Sequence, residues 1–268
     1  IVKTDWDGLI PSLQSGAIDV VIAGMSPTEE RKGTIDFSEN YYTSDYVIVV
    51  KADGPYAGAK TLADTKGLIA DLKAFGFTQF ITTPHTTPLV WENTKDGILS
   101  RYQEVKEELN INTEQLRVAS EYLMDDSFFK RLETEKLLTL KDNYVLVEMS
   151  YINPPIQLYQ ILMQLVSLGY QPVLAHPERY NFYKNDYDSF KKLKNAGCLF
   201  QMNLLSSTGY YGSGITEVAD YLLKEKMYDF VGSDVHHQKH IQSFESEIKF
   251  KNIEEFEGVI AKNNFFKK

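Results

Sequence analysis

The sequence is poor in the residues that would tie it to an oxidising compartment, a membrane span or a nucleic acid. It has one cysteine, Cys198, in 268 residues, so no disulfide can form within the chain and folding needs no oxidising surroundings. That thiol lies in the apolar run Cys198-Leu199-Phe200, which reads as a buried strand position and not as a nucleophile. No apolar run reaches the roughly 18 residues that would cross a bilayer as a helix. Basic residues (28) are outnumbered by acidic ones (37), for a net charge of −9. That balance argues against a nucleic-acid surface, because phosphate backbones are bound by basic patches. It leaves room for a small phosphorylated substrate, since a bound metal can reverse the local field. Repeats and low-complexity tracts are absent, and the chain opens at Ile1 with neither Met nor a signal-like segment. Such a start fits a fragment or an engineered product.

What is present is an ordinary globular composition, 43% hydrophobic and 24% charged, in a chain long enough to bury a full core. Four short hydrophobic runs each lead to a residue that binds divalent metals. Phe80–Pro84 leads to His85, Leu116–Ser120 to Glu121, Gln171–Ala175 to His176, and Asp229–Ser233 to Asp234 with His236 two residues on. Tyr144–Val147 similarly runs into Glu148, where a hydrogen-bonded pocket residue and a ligand are equal readings. Helical patterns fall between the runs, at 61–75, 94–109, 126–135, 155–168, 186–195, 215–225 and 253–262. Two further strands, at 18–24 and 46–51, and a helix over 6–16 stopped by Gly16 precede them. Eight strands alternating with helices predict a parallel α/β barrel with its site at the carboxyl ends of the strands. Taken singly, each of these polar residues could be an ordinary helix cap or loop-edge residue. His237 and His240 read as surface or supporting positions, and Tyr210 and Tyr211 as loop packing. The turn-rich stretch Ala52–Gly58 is the joint of the chain, giving two parts, 1–55 and 56–268, expected to merge into one barrel.

Two resemblances meet at that joint. Gly58-Ala59-Lys60-Thr61-Leu62, Ile81-Thr82-Thr83-Pro84-His85 and Ala119-Ser120-Glu121-Tyr122 resemble motifs of the PHP-type metal-dependent phosphoesterases. So do Leu174-Ala175-His176-Pro177-Glu178-Arg179-Tyr180 and Gly232-Ser233-Asp234-Val235-His236-His237. Within that group the resemblance is to the protein-tyrosine phosphatases of bacterial capsular and exopolysaccharide operons. Residues 1–53 are different. Trp6–Pro11, Ala23–Arg31, Ile35–Ser38 and Tyr41–Val50 resemble a fragment of the first lobe of periplasmic amino-acid-binding proteins.

The resemblances imply an α/β barrel of the PHP type whose first strand region is replaced by a binding-protein fragment, that is, an artificial chimera. In the phosphatase family His85, Glu121, His176, Asp234 and His236 correspond to metal ligands, with manganese, iron or zinc as the ion, and Arg179 to the phosphate grip. The family also opens with a His-x-His strand and a loop carboxylate. Counting back from Gly58 places the histidines at Ile48 and Val50 and the acids near Tyr56 and Ala57, and this chain has no histidine before His85. A partial metal site with weak or no phosphoesterase activity is therefore expected. A working phosphotyrosine phosphatase and an amino-acid-binding module are the alternatives. Ser26 and Arg31 match positions that hold the ligand carboxylate in the binding proteins, but the second lobe is missing and Arg31 reads as solvated or ion-paired. Phosphate or phosphotyrosine is the implied ligand. The parent families imply a cytoplasmic setting for one part and a periplasmic one for the other.

Overall fold

The computed structural model describes residues 9–21, 32–37, 62–87, 93–112 and 114–267. Contacts divide the chain into two compact units, 1–49 and 50–268. In the first, α1 (Leu9–Gln14) closes with Gly16 at φ 72°, where Ala17 N donates to Ser12 O. A residue without Cβ takes this left-handed turn at no steric cost, which is why Gly16 stops the helix. The strand expected to start at Ile18 is corrected: residues 18–21 are irregular and Val20 is 67% exposed. A strand persists only with a neighbour to accept its ladder, and none of the described residues pairs with this segment. The rest of that strand, the strand at 46–51, Ser26, Arg31, Ile48 and Val50 lie outside the described residues.

The second unit is an α/β fold built on a parallel sheet. Phe80–Thr82 (β1) and His85–Thr86 (β2) are two lengths of one strand, and Leu116–Val118 (β3) and Glu121–Leu123 (β4) are two lengths of its neighbour. Each ladder is interrupted at Pro84, which has no N–H to give. Even so, Ala119 N still donates to Thr82 O and Glu121 N to Pro84 O. His85 and Glu121 therefore do not close strands as expected; each opens a second length. Beyond them the sheet runs β2-β4-β5-β6-β7-β8, with β5 (Tyr144–Glu148), β6 (Gln171–Ala175), β7 (Leu199–Asn203) and β8 (Phe230–Gly232) all parallel. The sheet curves so strongly that His85 on β2 and His236 just past β8, from its two edges, bring their rings to 5.6 Å.

Helices alternate with these strands, as a parallel sheet demands of its crossovers. They are α2 (Leu62–Ala74), α3 (Lys95–Leu109), α4 (Asp126–Arg131), α5 (Leu158–Ser167), α6 (Tyr187–Asn195), α7 (Ser213–Lys224), α8 (Gln238–Ser243) and α9 (Ile253–Lys262). Thr94, Asp125 and Asp186 cap α3, α4 and α6 by accepting from backbone N–H groups of the first turn, which satisfies donors the helix cannot. Helix α8 has too short a pattern to be read from sequence and was not anticipated.

Strand alternation sorts the core into two layers. Val145, Val147, Leu174, Phe200 and Met202 face the helices, while Leu146, Val173, Ala175 and Phe230 face inward. Phe265 and Phe266, from the chain's last turn, pack against the inner layer. Arg117 Nη2 donates to Phe266 O and Lys141 Nζ to Phe265 O, each at 2.6 Å. Asn263 uses its side-chain amide as a short strand would, accepting from Val231 N (3.0 Å) and donating to Val231 O (2.7 Å). The open edge of β8 is thereby blunted. Cys198 is buried and its thiol is pushed up to about 12 by burial, which leaves it inert.

Candidate metal centre

The sheet register decides which polar residues meet. His85 lies directly across from Glu121, and Glu121 across from Leu146, so Glu148, two residues on, points to the same inner face. One donor atom from each of His85, Glu121 and Glu148 lies within 4.8 Å of the others. His85 Nδ1 is 2.9 Å from Glu148 Oε1 and 3.9 Å from Glu121 Oε2.

His176 joins by breaking the alternation. Counted along β6 it belongs with Leu174 on the helix face, yet its Nε2 lies 3.3 Å from Glu121 Oε1. Its φ of 37° ends the pleat and turns the ring inward. Asp234, past β8, has φ 48°. Left-handed backbone at non-glycine residues costs of order 1–3 kcal/mol and gathers at functional sites. Asp234 Oδ2 accepts from Arg179 Nη1 (3.0 Å) and Asn203 Nδ2 (2.7 Å). His236 Nδ1 lies 2.8 Å from Asp234 O, and its Nε2 faces His85 Nε2 at 3.4 Å. The structure thus brings His85, Glu121, His176, Asp234 and His236 to one end of the sheet, with Arg179 among them.

Several neighbours were not anticipated. The Arg179 guanidinium carbon sits 4.1 Å from the centre of the Tyr211 ring and 5.1 Å from that of Tyr151. Tyr151 also stacks on His176. Tyr151 and Asn203 lie at or just past strand ends, and extending the strand-end rule to uncharged residues would have found both. Tyr211, read as loop packing, forms a wall of the site. His237 and His240 are buried, and His240 Nδ1 accepts from His236 N at 3.2 Å. Burial, together with the charges of His237 and His236, lowers His240 to about 4. Its neutral ring can therefore accept that bond.

The electrostatics are those of an acidic cage. The hydrogen bond that His85 donates to Glu148 raises His85 to about 9; burial opposes this, and the charges of Glu121, Glu148 and Asp234 reinforce it. For His176 burial works downward, but the close approach and charge of Glu121, with the charge of Asp234, prevail and the net direction is up. Among the described residues, buried Glu121 Oε1 and His176 Nδ1 have no hydrogen-bond partner. The 3.3 Å approach of His176 to that oxygen has ion-pair distance without hydrogen-bond geometry. Buried polar atoms left without partners call for an explanation such as an ion, and mixed imidazole and carboxylate donors suit manganese, iron or zinc. These residues fit a divalent metal.

A test follows from the proton count. At neutral pH the metal-free protein holds a proton on His85 that ligation must expel. Metal affinity is expected to rise about tenfold per pH unit up to about pH 9, for at least one proton displaced. Calorimetry in two buffers of different ionisation enthalpy measures that release. A pH-independent affinity would contradict it.

Fold and site together define a parallel α/β protein with a candidate divalent-metal centre at the carboxyl end of its sheet. Residues 49–248 match the family described as "Capsular polysaccharide synthesis, CpsB/CapC", and the chain belongs to it. Residues 2–54 match "Ligated ion channel L-glutamate- and glycine-binding site". The tyrosine-protein phosphatase CpsB of Streptococcus agalactiae is 28% identical over 187 residues, covering 67% of this chain and 77% of that protein. The putative tyrosine-protein phosphatase CapC of Staphylococcus aureus is 24% identical over 198 residues, covering 72% and 75%. The N-terminal region matches the arginine-binding extracellular protein ArtP of Bacillus subtilis, 46% identical over 63 residues, 24% of each chain. A solved structure from work on Bacillus subtilis YwqE and Streptococcus pneumoniae CpsB, described as unique metal-dependent tyrosine phosphatases, superposes with a TM-score of 0.63. It is 24% identical and covers 75% of this chain and 81% of that one, a likeness of fold.

Proposed function

We propose that this chain is a chimeric α/β barrel that keeps a PHP phosphatase scaffold and part of its metal site, with weak or no phosphoesterase activity. In this reading the sequence at Ile48 and Val50 aligns with the family's His-x-His and supplies neither histidine. The observation that carries the proposal is Glu121, buried between imidazoles from β2 and the end of β6 with one oxygen lacking a hydrogen bond, in a chain whose first 84 residues contain no histidine. His85, Glu121, His176, Asp234 and His236 would hold the ion, manganese before iron or zinc, and Glu148 supports His85 from behind.

The chemistry such an ion supplies is polarisation of a phosphoryl oxygen and acidification of a bound water. Arg179 would grip the phosphate of a phosphotyrosine-type substrate, its planar fork meeting two oxygens. Tyr211 and Tyr151 hold its plane by contact with both rings, and Asp234, 3.0 Å from Nη1, helps to align it. Without the His-x-His pair the paired stabilisation of attacking and leaving oxygens is lost.

Metal analysis of protein purified without chelator, then hydrolysis of a phosphotyrosyl peptide with added manganese, tests the proposal. Bound metal with turnover orders of magnitude below that of the relatives is expected, whereas vigorous hydrolysis would sink it. Ile48→His combined with Val50→His is expected to raise metal uptake; no gain would mean that the strand runs in another register. The amino-acid-binding reading needs a second lobe, and the ArtP match spans only 24% of that protein. Titration with arginine is expected to produce no heat.

A further inference from the structure

Helix α5 is apolar on two sides and covered on one. Leu158, Ile161, Leu162 and Leu165 are buried against the sheet. Tyr159, Met163 and Val166 point outward, continuing the line of Ile152 and Ile156 before the helix, and Leu168 follows it. Tyr159, Met163 and Val166 recur at spacings of four and three, which keeps them on one stripe of the helix, and exposed Ile156 lies two residues before its start. Exposure along the stripe is extreme for apolar side chains, with Ile152 at 86%, Ile156 at 102% and Met163 at 68%. From Met149 to Ala175 there is not one Asp, Glu, Lys or Arg, in a chain that is 24% charged overall. The helix also carries Gln160, Gln164 and Ser167, but a contiguous apolar face is ordinarily buried.

We infer that this face is the contact of a two-fold homodimer, two α5 helices packing across the stripe. Two features of the face favour a second copy of the chain over another partner. The first is neutrality: an isologous interface sets each residue against its own symmetry mates, and this segment carries no charge to repel itself or to attract a charged partner. The second is area. The exposed stripe amounts to about four whole side chains, or on the order of 600 Å² per copy at roughly 150 Å² each. Two copies would bury about 1,200 Å², the lower bound of specific, stable interfaces, whereas 600 Å² is the upper end of what a monomer leaves uncovered.

Light scattering coupled to size exclusion, run on the full chain from about 5 to 200 μM, is expected to give twice the chain mass at the upper concentrations. Ile156→Asp with Met163→Asp is expected to raise the dimer dissociation constant at least about 100-fold while leaving the far-ultraviolet circular dichroism unchanged. Should that double variant misfold, Met163→Cys decides instead, because native Cys198 is buried and silent. Mild oxidation would then link two chains through the new thiol. A monomer across the whole concentration range overturns the inference. So does a dimer that survives the double substitution, or a Met163→Cys protein that fails to cross-link.

Discussion

Glu121→Gln is expected to lower divalent-metal affinity by on the order of 100-fold or more, since even residues that merely orient ligands are worth 10–100-fold. The carboxylate lies between His85 and His176 and is buried with one oxygen lacking a hydrogen bond. Glutamine keeps the shape and removes the charge. It also removes an attraction that holds protons on both histidines, so both pKa values should fall, that of His85 the less because its bond to Glu148 remains. The fold should tolerate the change, because a buried carboxylate with no full complement of donors stabilises little by itself. The test pairs a metal titration with thermal unfolding of the metal-free protein. Unchanged metal affinity would exclude Glu121 from the centre. Loss of affinity accompanied by collapse of the fold would make its role structural.

Glu178→Leu is expected to destabilise the protein by about 3–5 kcal/mol, among the largest effects of a single substitution. Glu178 sits in the turn after β6, buried, and ties three elements together. Its Oε1 accepts from Asn203 N at the end of β7 (2.9 Å) and from Ser206 Oγ (2.7 Å), and its Oε2 accepts from Tyr228 OH just before β8 (2.9 Å). Leucine would leave an amide and two hydroxyls buried without an acceptor. Glu178→Gln retains an acceptor for Asn203 and Ser206 and should cost about 1 kcal/mol. Burial raises the Glu178 carboxyl, with the bonds from Ser206 and Asn203 opposing. The folded state therefore holds this proton more tightly than the unfolded chain does. The corresponding stability is full below the ordinary glutamate value and is lost as pH rises through the folded value. Urea unfolding of the three proteins at two pH values measures both effects. A cost for leucine no larger than that for glutamine would mean the network is not what joins β6, β7 and β8.

The helices and strands from residue 62 onward were largely legible in the sequence. The ends of α2, α3, α6, α7 and α9 fall within two residues of their expected places, and α9 coincides. The apolar faces of α6, α7 and α9 recur with the helical period, and Thr94 and Asp186 cap the starts of α3 and α6. The breaks at Thr83-Pro84 and at Ala119-Ser120 were not legible, because a two-residue gap in a ladder depends on the partner strand as much as on the strand itself. At the N-terminal end, residues 18–21 carry a strand-like pattern but form no strand among the described residues, for want of a partner.

The sequence alone determined the parallel α/β class, the inertness of Cys198, the candidate ligands and the lack of any histidine before His85. Composition and period carry those, and they need no third dimension. Tertiary structure alone decided how the ligands meet. His176 belongs by alternation to the outer layer and reaches Glu121 only because its backbone turns left-handed at the end of β6. Glu148 could not be told from a pocket residue until the β4–β5 register set it beside His85. Asn203, Tyr151 and Tyr211 carry no ligand chemistry that a one-dimensional reading would flag, yet they line Asp234, His176 and Arg179. Which side chains share a cavity is fixed by register and by backbone torsion at strand ends, and neither is written in the local pattern of residues.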